Sequence, residues 1–160
     1  MNVLLVGAGA REHAIALSLS TSPKLSRLFV SPGNPGSGEA AEVIALDVND
    51  HDAVVGFCRA HAVELVVVGP EGPLVAGIAD ALQAAGILCF GPSRDAAKLE
   101  GSKSFTKEFC DEFGIPTAKY QIFDRLAPAA EFFATARFPI VIKADGLAAG
   151  KGVTLSLIHI

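Results

Sequence analysis

The stretch KADGLAAGKG, residues 143–152, combines three glycines with two lysines. Glycines let a backbone approach a bound phosphate closely, and lysines supply positive charge to it. The Walker A pattern is not met, because only three residues separate Gly146 from Gly150 and Gly152 stands where a hydroxyl should follow Lys151. We therefore predict a glycine-rich hairpin that closes over phosphates as a lid, with a solvated surface hairpin as the alternative.

A second glycine motif, GAGAREHA at residues 7–14, follows an apolar run and opens a helical pattern. It resembles the dinucleotide fingerprint, but Glu12 stands where the third glycine belongs, and the second predicted strand does not end in an acidic residue. These two absences disfavour NAD binding. We expect Gly7 and Gly9 to let an anion approach the helix N-terminus with Arg11 assisting, or else a tight turn in which Arg11 and Glu12 are simply solvated.

The elements that position these loops alternate regularly in the first half of the chain. Apolar runs predict strands at residues 2–6, 27–31, 42–46, 64–69 and 87–91. Helical patterns lie between them at residues 11–22, 50–62 and 73–86. This alternation is typical of βαβ units, so we predict an α/β fold with a doubly wound, mainly parallel sheet.

The rhythm changes near residue 92. The later residues predict two helices within 92–114, an extended segment at 115–124, a helix at 126–137 and strands at 139–144 and 152–157. Because a short glycine loop joins the last two strands, they should form an antiparallel hairpin. We therefore predict a domain boundary near Gly101, with one domain at 1–101 and the start of another at 102–160.

Three further loops follow predicted strands: SPGNPGSG at 31–38, GPEGPL at 69–74 and GPS at 91–93. Ligands bind in open α/β sheets at the edge where the strands end, so several glycine-rich loops at one edge favour a ligand there. Glu71 begins a predicted helix, and its alternative role is to complement the helix dipole.

The composition excludes several classes of partner. The chain carries 13 Lys and Arg against 17 Asp and Glu, a net charge of −4, which gives no electrostatic case for nucleic acid or an anionic membrane. No apolar run approaches the roughly 18 residues of a membrane-spanning helix, and the start lacks the basic region of a signal peptide. Three scattered cysteines and four dispersed histidines show no metal-binding spacing. We predict a cytoplasmic protein with reduced thiols.

Several motifs together resemble the phosphoribosylamine–glycine ligase family. They are GAGAREHA, PGNPG, GPEGPLVAGIAD, LEGSKSFTKEF, IPTA and VIKADGLAAGKGV. The resemblance runs in register from residue 1 to about residue 155, with Gly72 as a small departure where alanine is usual. It implies a Rossmann-like pre-ATP-grasp domain followed by the start of an ATP-grasp domain.

The resemblance also implies the chemistry. ATP would phosphorylate the carboxylate of glycine, and the amine of 5-phosphoribosylamine would attack the glycyl phosphate, giving glycinamide ribonucleotide, ADP and phosphate. Such a reaction needs positioning and charge neutralisation, not a covalent nucleophile. The implied partners are these small molecules with Mg²⁺ or Mn²⁺, whose ligands are expected downstream of the chain.

Individual roles follow from the same resemblance. Lys143 would contact the nucleotide near its α-phosphate, and Lys103 would be an additional nucleotide contact. The loop that closes over the β- and γ-phosphates would use Gly146, Gly150, Lys151 and Gly152. The sheet edge that faces phosphoribosylamine would use Gly9, Arg11, Asn34, Gly36 and Glu71.

The ending LSLIHI, residues 155–160, departs from the family pattern. It can be encoded by CTGTCTCTTATACACATC, which matches a common transposase sequencing adapter. We therefore expect a non-native tail on a truncated ATP-grasp domain, and a fragment that is inactive alone. Two alternatives stay open: another ATP-grasp ligase or carboxylase, and a nucleotide-binding module without catalysis.

Overall fold

The computed structural model describes residues 1–148 and 151–156. Within those residues no helix has the length and apolar character needed to cross a membrane. The chain divides into two compact units, Met1–Ala97 and Lys98–Ile160.

The first unit is built on a five-stranded sheet in which all neighbouring strands are parallel. Its strands are β1 Asn2–Gly7, β2 Arg27–Pro32, β3 Glu42–Val43, β4 Val63–Val68 and β5 Leu88–Phe90. Its helices are α1 Ala10–Ser20, α2 His51–Ala60, α3 Glu71–Ala76, α4 Ile78–Ala84 and α5 Arg94–Gly101, the last running into the second unit. The strand order is β3-β2-β1-β4-β5, so the predicted doubly wound parallel sheet is confirmed.

The core lies on both faces of this sheet, as the unbroken apolar run of β1 predicts. Leu4 packs in a cluster with residues of α2 and α4, whereas Leu5 packs in a separate cluster with Ala16 of α1. Both leucines have no exposed surface. Successive side chains of a strand point to opposite faces, so β1 supplies both clusters alternately.

Two elements of the first unit differ from prediction. The strand expected at 42–46 is regular only over Glu42–Val43, because it lies at the edge of the sheet and leaves it after one more backbone hydrogen bond, from Ile44 to Val30. The helix expected at 73–86 begins earlier, at Glu71, and is divided at Gly77. Gly77 has φ +102°, in the left-handed region, and this ends α3 before α4 starts.

The second unit contains α6 Lys103–Glu112, α7 Leu126–Thr135, β6 Ile140–Lys143 and β7 Val153–Ser156. The predicted hairpin is confirmed, since β6 and β7 pair antiparallel with Lys143 opposite Val153.

The segment between α6 and α7 is extended and is tied to α6. The ammonium of Lys107 donates to Thr117 Oγ1 at 2.6 Å and to the carbonyl of Ala118 at 2.9 Å. The hydroxyl of Tyr120 donates to Asp111 Oδ2 at 2.6 Å. This carboxylate raises the pKa of Tyr120 to about 12.

The predicted non-native tail begins inside β7. Leu155 and Ser156 pair with Val141 and Ile140, while residues 157–160 lie outside the described residues. The non-native origin of this tail stays a prediction about the gene.

The buried position of Leu4 generates a stability prediction. Leu4→Ala should lower the free energy of unfolding of the first unit by about 2–5 kcal/mol, because the side chain is fully buried and leaves a cavity. Leu17→Ala is the matched control, since Leu17 is 47% exposed on α1. Urea unfolding followed by circular dichroism measures both, and equal losses would contradict the proposed core.

Candidate functional site

The carboxyl ends of the parallel strands bring three loops together in the first unit. The amide of Gly33, after β2, donates to the carbonyl of Gly7 at 3.1 Å, and the amide of Gly69, after β4, donates to the carbonyl of Val6 at 3.0 Å. The loops after β1, β2 and β4 therefore line one sheet edge. This is the edge at which ligands bind in folds of this type.

Glu12 is the central side chain of this edge. It is only 4% exposed, and its Oε2 accepts from the amide of Gly9 at 2.7 Å. Its Oε1 accepts from Nε of Arg11 at 2.8 Å. The alternative in which Glu12 is simply solvated is therefore wrong, because these bonds draw the carboxylate inward across the start of α1.

The glycines of the edge leave room for this carboxylate. A Cβ at Gly69 would lie 2.6 Å from both Cγ and Cδ of Glu12, and a Cβ at Gly9 would lie 2.9 Å from its Oε2. Gly7, with φ +134°, would also bring a Cβ into Glu12. The glycine spacing that resembles a dinucleotide fingerprint therefore makes room for the side chain of Glu12.

The electrostatics of α1 follow from the same contacts. Burial alone would raise the pKa of Glu12, but the hydrogen bonds from Arg11 and Gly9 outweigh it and the pKa is lowered. An ionised carboxylate thus already neutralises the N-terminus of α1. An anion at the amide of Gly9 would have to compete with it.

Asn34 and Gly36 have specific partners at the same edge. Nδ2 of Asn34 donates to the carbonyls of Ala8 at 2.9 Å and Gly9 at 3.2 Å, so the side chain joins the loops after β2 and β1. A Cβ at Gly36 would collide with the imidazole of His13. Glu71 is half-buried as the first residue of α3.

The first unit also has an open surface pocket of about 430 Å³, which the sequence did not indicate. It is lined by His51, Ala76, Gly77, Asp80, Arg94 and Asp95. Its lining includes none of the residues predicted for the phosphoribosylamine edge.

The predicted phosphate loop lies between β6 and β7 in the second unit. Lys143 ends β6 and Lys151 precedes β7, and both side chains are exposed. The amide of Ala144 donates to the carbonyl of Gly152 at 2.8 Å, which extends the hairpin ladder by one bond. A Cβ at Gly152 would lie 2.5 Å from the Cβ of Ala148, so only glycine fits there without a shift. Gly150 lies outside the described residues.

Asp145, which was not predicted, is heavily hydrogen-bonded at the base of this loop. Its Oδ1 accepts from the amide of Lys103 at 2.6 Å and from the amide of Gly146 at 2.9 Å. Ser102 and Ser104 also donate to it through their hydroxyls. The hydroxyl of Ser104, followed by these backbone amides, holds the pKa of Asp145 well below its usual range despite partial desolvation.

Metal-ligating side chains are not clustered in the described part of the chain, and one buried thiol is held protonated. Within residues 1–148 and 151–156, His, Cys, Asp and Glu side chains form no group of three that could hold a metal ion. Cys58, Cys89 and Cys110 are free. Burial raises the pKa of the Cys58 thiol to about 11, so this thiol stays protonated at neutral pH.

Comparison with family models identifies the class of protein from both units. Residues 101–158 match the model described as the phosphoribosylglycinamide synthetase ATP-grasp (A) domain, which assigns this segment to an ATP-grasp domain. Residues 1–100 match the model described as the phosphoribosylglycinamide synthetase N domain. The chain therefore belongs to the phosphoribosylglycinamide synthetase family.

Individual proteins agree with this assignment. The chain is 58% identical over 157 residues to phosphoribosylamine–glycine ligase of Mesorhizobium japonicum, covering 98% of this chain and 37% of that protein. A crystal structure of phosphoribosylamine–glycine ligase from Thermotoga maritima has a TM-score of 0.73 at 29% identity, with 97% of this chain and 36% of that chain covered. The chain thus spans little more than a third of the length of these relatives.

A different enzyme shares the fold. The biotin carboxylase domain of 2-oxoglutarate carboxylase from Hydrogenobacter thermophilus has a TM-score of 0.74 at 18% identity, covering 98% of this chain and 37% of that chain. At this identity the likeness concerns the fold alone.

Two glycines three residues apart test whether the glycines of the sheet edge must leave room for the carboxylate of Glu12. Gly69→Ala should lower the free energy of unfolding by about 1–3 kcal/mol, because the new Cβ displaces Glu12. Gly72→Ala is the matched control: its Cβ would have nothing within 4 Å, so stability should stay within about 1 kcal/mol or rise slightly. Thermal unfolding measures both variants. An unchanged free energy of unfolding in Gly69→Ala would contradict the proposal that Gly69 must leave space for Glu12.

Proposed function

We propose that this chain forms the amine-substrate edge and part of the ATP clamp of a ligase that joins glycine to 5-phosphoribosylamine. In this reaction ATP phosphorylates glycine, and the amine displaces phosphate, leaving glycinamide ribonucleotide and ADP. The observation that carries the proposal is the 58% identity to the Mesorhizobium japonicum ligase, which extends through both units. The ligase would work in the cytoplasm as part of purine biosynthesis.

The nucleotide side of the proposal rests on the charged hairpin. Phosphoryl transfer depends on positioning and on neutralising phosphate charge, and the exposed Lys143 and Lys151 stand at the two ends of a narrow glycine loop. The nucleotide contacts would be Lys103, Lys143, Gly146, Gly150, Lys151 and Gly152. The glycines would let the backbone amides approach the phosphates.

The amine side rests on the sheet edge of the first unit. The half-buried carboxylate of Glu71, at the start of α3, suits the amine or hydroxyl groups of phosphoribosylamine. Arg11 adds a cation that can approach the substrate phosphate. The proposed substrate contacts are Gly9, Arg11, Asn34, Gly36 and Glu71, with Asn34 acting mainly by holding the loops together.

The divalent metal belongs to the whole ligase in this proposal. Mg²⁺ or Mn²⁺ would accompany ATP, and we place its carboxylate and amide ligands in the part of the relatives that this chain does not span. The described residues contribute cationic groups and backbone amides to the clamp, and we assign them no metal ligand.

The proposal is tested by grafting residues 1–154 of this chain into the Mesorhizobium japonicum ligase in place of the matching segment. The chimera should form ADP dependent on both glycine and phosphoribosylamine, whereas this chain alone should stay at background. Lys143→Met in the chimera should lower kcat/KM for ATP by about 10²-fold, because a cation at the phosphates is lost.

Lys119→Met is the matched control, since Lys119 is exposed in the segment before α7 and outside the hairpin. It should leave kcat/KM for ATP unchanged. A folded chimera without glycine-dependent ADP formation would contradict the proposed function.

A further inference from the structure

We propose that Asp145 is a positioning residue that locks the phosphate hairpin onto the first turn of α6 before any nucleotide binds. We call Ser102, Lys103, Ser104, Asp145 and Gly146 the hairpin latch. This inference rests on the proposed function, because it assigns the latch to ATP binding by the ligase.

The carboxylate of Asp145 has donors on both sides of the latch. From the start of α6 it accepts the amides of Lys103 at 2.6 Å and Ser104 at 3.3 Å. From the hairpin it accepts the amide of Gly146 at 2.9 Å. One side chain thus joins segments that are more than 40 residues apart, and the bonds are charge-assisted.

Two serine hydroxyls add further hydrogen bonds to the carboxylate of Asp145. The hydroxyl of Ser102 donates to Asp145 Oδ2 at 3.1 Å, while its oxygen caps α6 by accepting the amide of Phe105 at 3.2 Å. The hydroxyl of Ser104 donates to the same Oδ2. Asp145 therefore occupies the positive N-terminus of a ten-residue helix that would otherwise attract an external anion.

A second connection joins a side chain of α6 to the backbone of the hairpin. Nζ of Lys103 donates to the carbonyl of Gly146 at 2.7 Å, so Lys103 holds the hairpin through its side chain and Asp145 through its amide. Gly146 has φ +80°, a left-handed conformation that glycine adopts without strain. These two sets of hydrogen bonds, at the adjacent residues Asp145 and Gly146, fix both the position and the rotation of the hairpin base.

The latch gives Lys103 a role beyond that of a nucleotide contact. Its ammonium is already bonded to the hairpin, so its effect on ATP passes at least partly through the position of the loop. A loop ordered in advance loses less conformational entropy when it binds. The consequence should be tighter ATP binding with little effect on the other substrates.

The test uses the active chimera of residues 1–154 with the Mesorhizobium japonicum ligase. Asp145→Asn keeps the size of the side chain but removes its charge and one acceptor oxygen. We expect the KM for ATP to rise about tenfold, the KM for glycine to stay within about twofold and kcat to fall less than the KM rises. Asp124→Asn is the matched control, because Asp124 is 86% exposed and lies 3.9 Å from the guanidinium of the adjacent Arg125.

Two substitutions of Ser104 test the latch independently if Asp145→Asn does not fold. Ser104→Ala should raise the KM for ATP severalfold, and Ser104→Thr, which retains the hydroxyl, should restore it. Amide hydrogen exchange should be faster at Gly146 in both Asp145→Asn and Ser104→Ala, with the amides of β1 unchanged.

The outcomes separate the two proposals. An unchanged KM for ATP in folded Asp145→Asn and Ser104→Ala chimeras that are active would overturn the latch and leave the ligase function standing. A folded parent chimera without glycine-dependent ADP formation would overturn the function. Equal increases in the KM for ATP and for glycine would also contradict the latch, because they indicate a general structural defect.

Discussion

In each unit a carboxylate of the chain itself is hydrogen-bonded to backbone amides at the start of a helix, and the neighbouring glycine loop is shaped around it. Glu12 does this at α1 and Asp145 at α6. An ionised carboxylate in such a place satisfies amides that have no partner within the helix and opposes the positive end of the helix dipole. Both glycine motifs of the sequence are organised by this one interaction.

This interaction changes the structural role that is assigned to the glycines of both motifs. Gly7, Gly9 and Gly69 resemble positions that admit a ligand, yet the atoms closest to their missing side chains belong to Glu12. At the hairpin, Gly146 supplies a left-handed turn and an amide to Asp145, whereas Gly152 lets two alanine-bearing segments approach. In the described residues, both glycine loops are thus held by hydrogen bonds within the chain.

Local patterns were sufficient to predict the parallel sheet and the terminal hairpin. Apolar runs such as that of β1 report burial on both faces, and Asp50 is a residue type that favours the N-cap position it takes in α2, where it accepts the amide of Ala53 at 3.0 Å. The division at Gly77 was missed because a glycine within a helical pattern is compatible with continuation or with a break. Glu12 and Asp145 were missed as organising groups because their environments depend on contacts from distant segments, such as Gly69 and Lys103. For Glu12 the absent third glycine was the available signal.

If Glu12 and Asp145 organise the two glycine loops, both carboxylates must be ionised and held by amide donors. Carboxyl ¹³C chemical shifts, followed by NMR through an acid titration of the isotopically labelled chain, measure the pKa of Glu12 and Asp145 individually. We predict that both titrate below the ordinary values of about 4.3 for Glu and 3.9 for Asp, with the pKa of Asp145 far below its ordinary value. Ordinary or raised pKa values at both positions in the folded chain would contradict it.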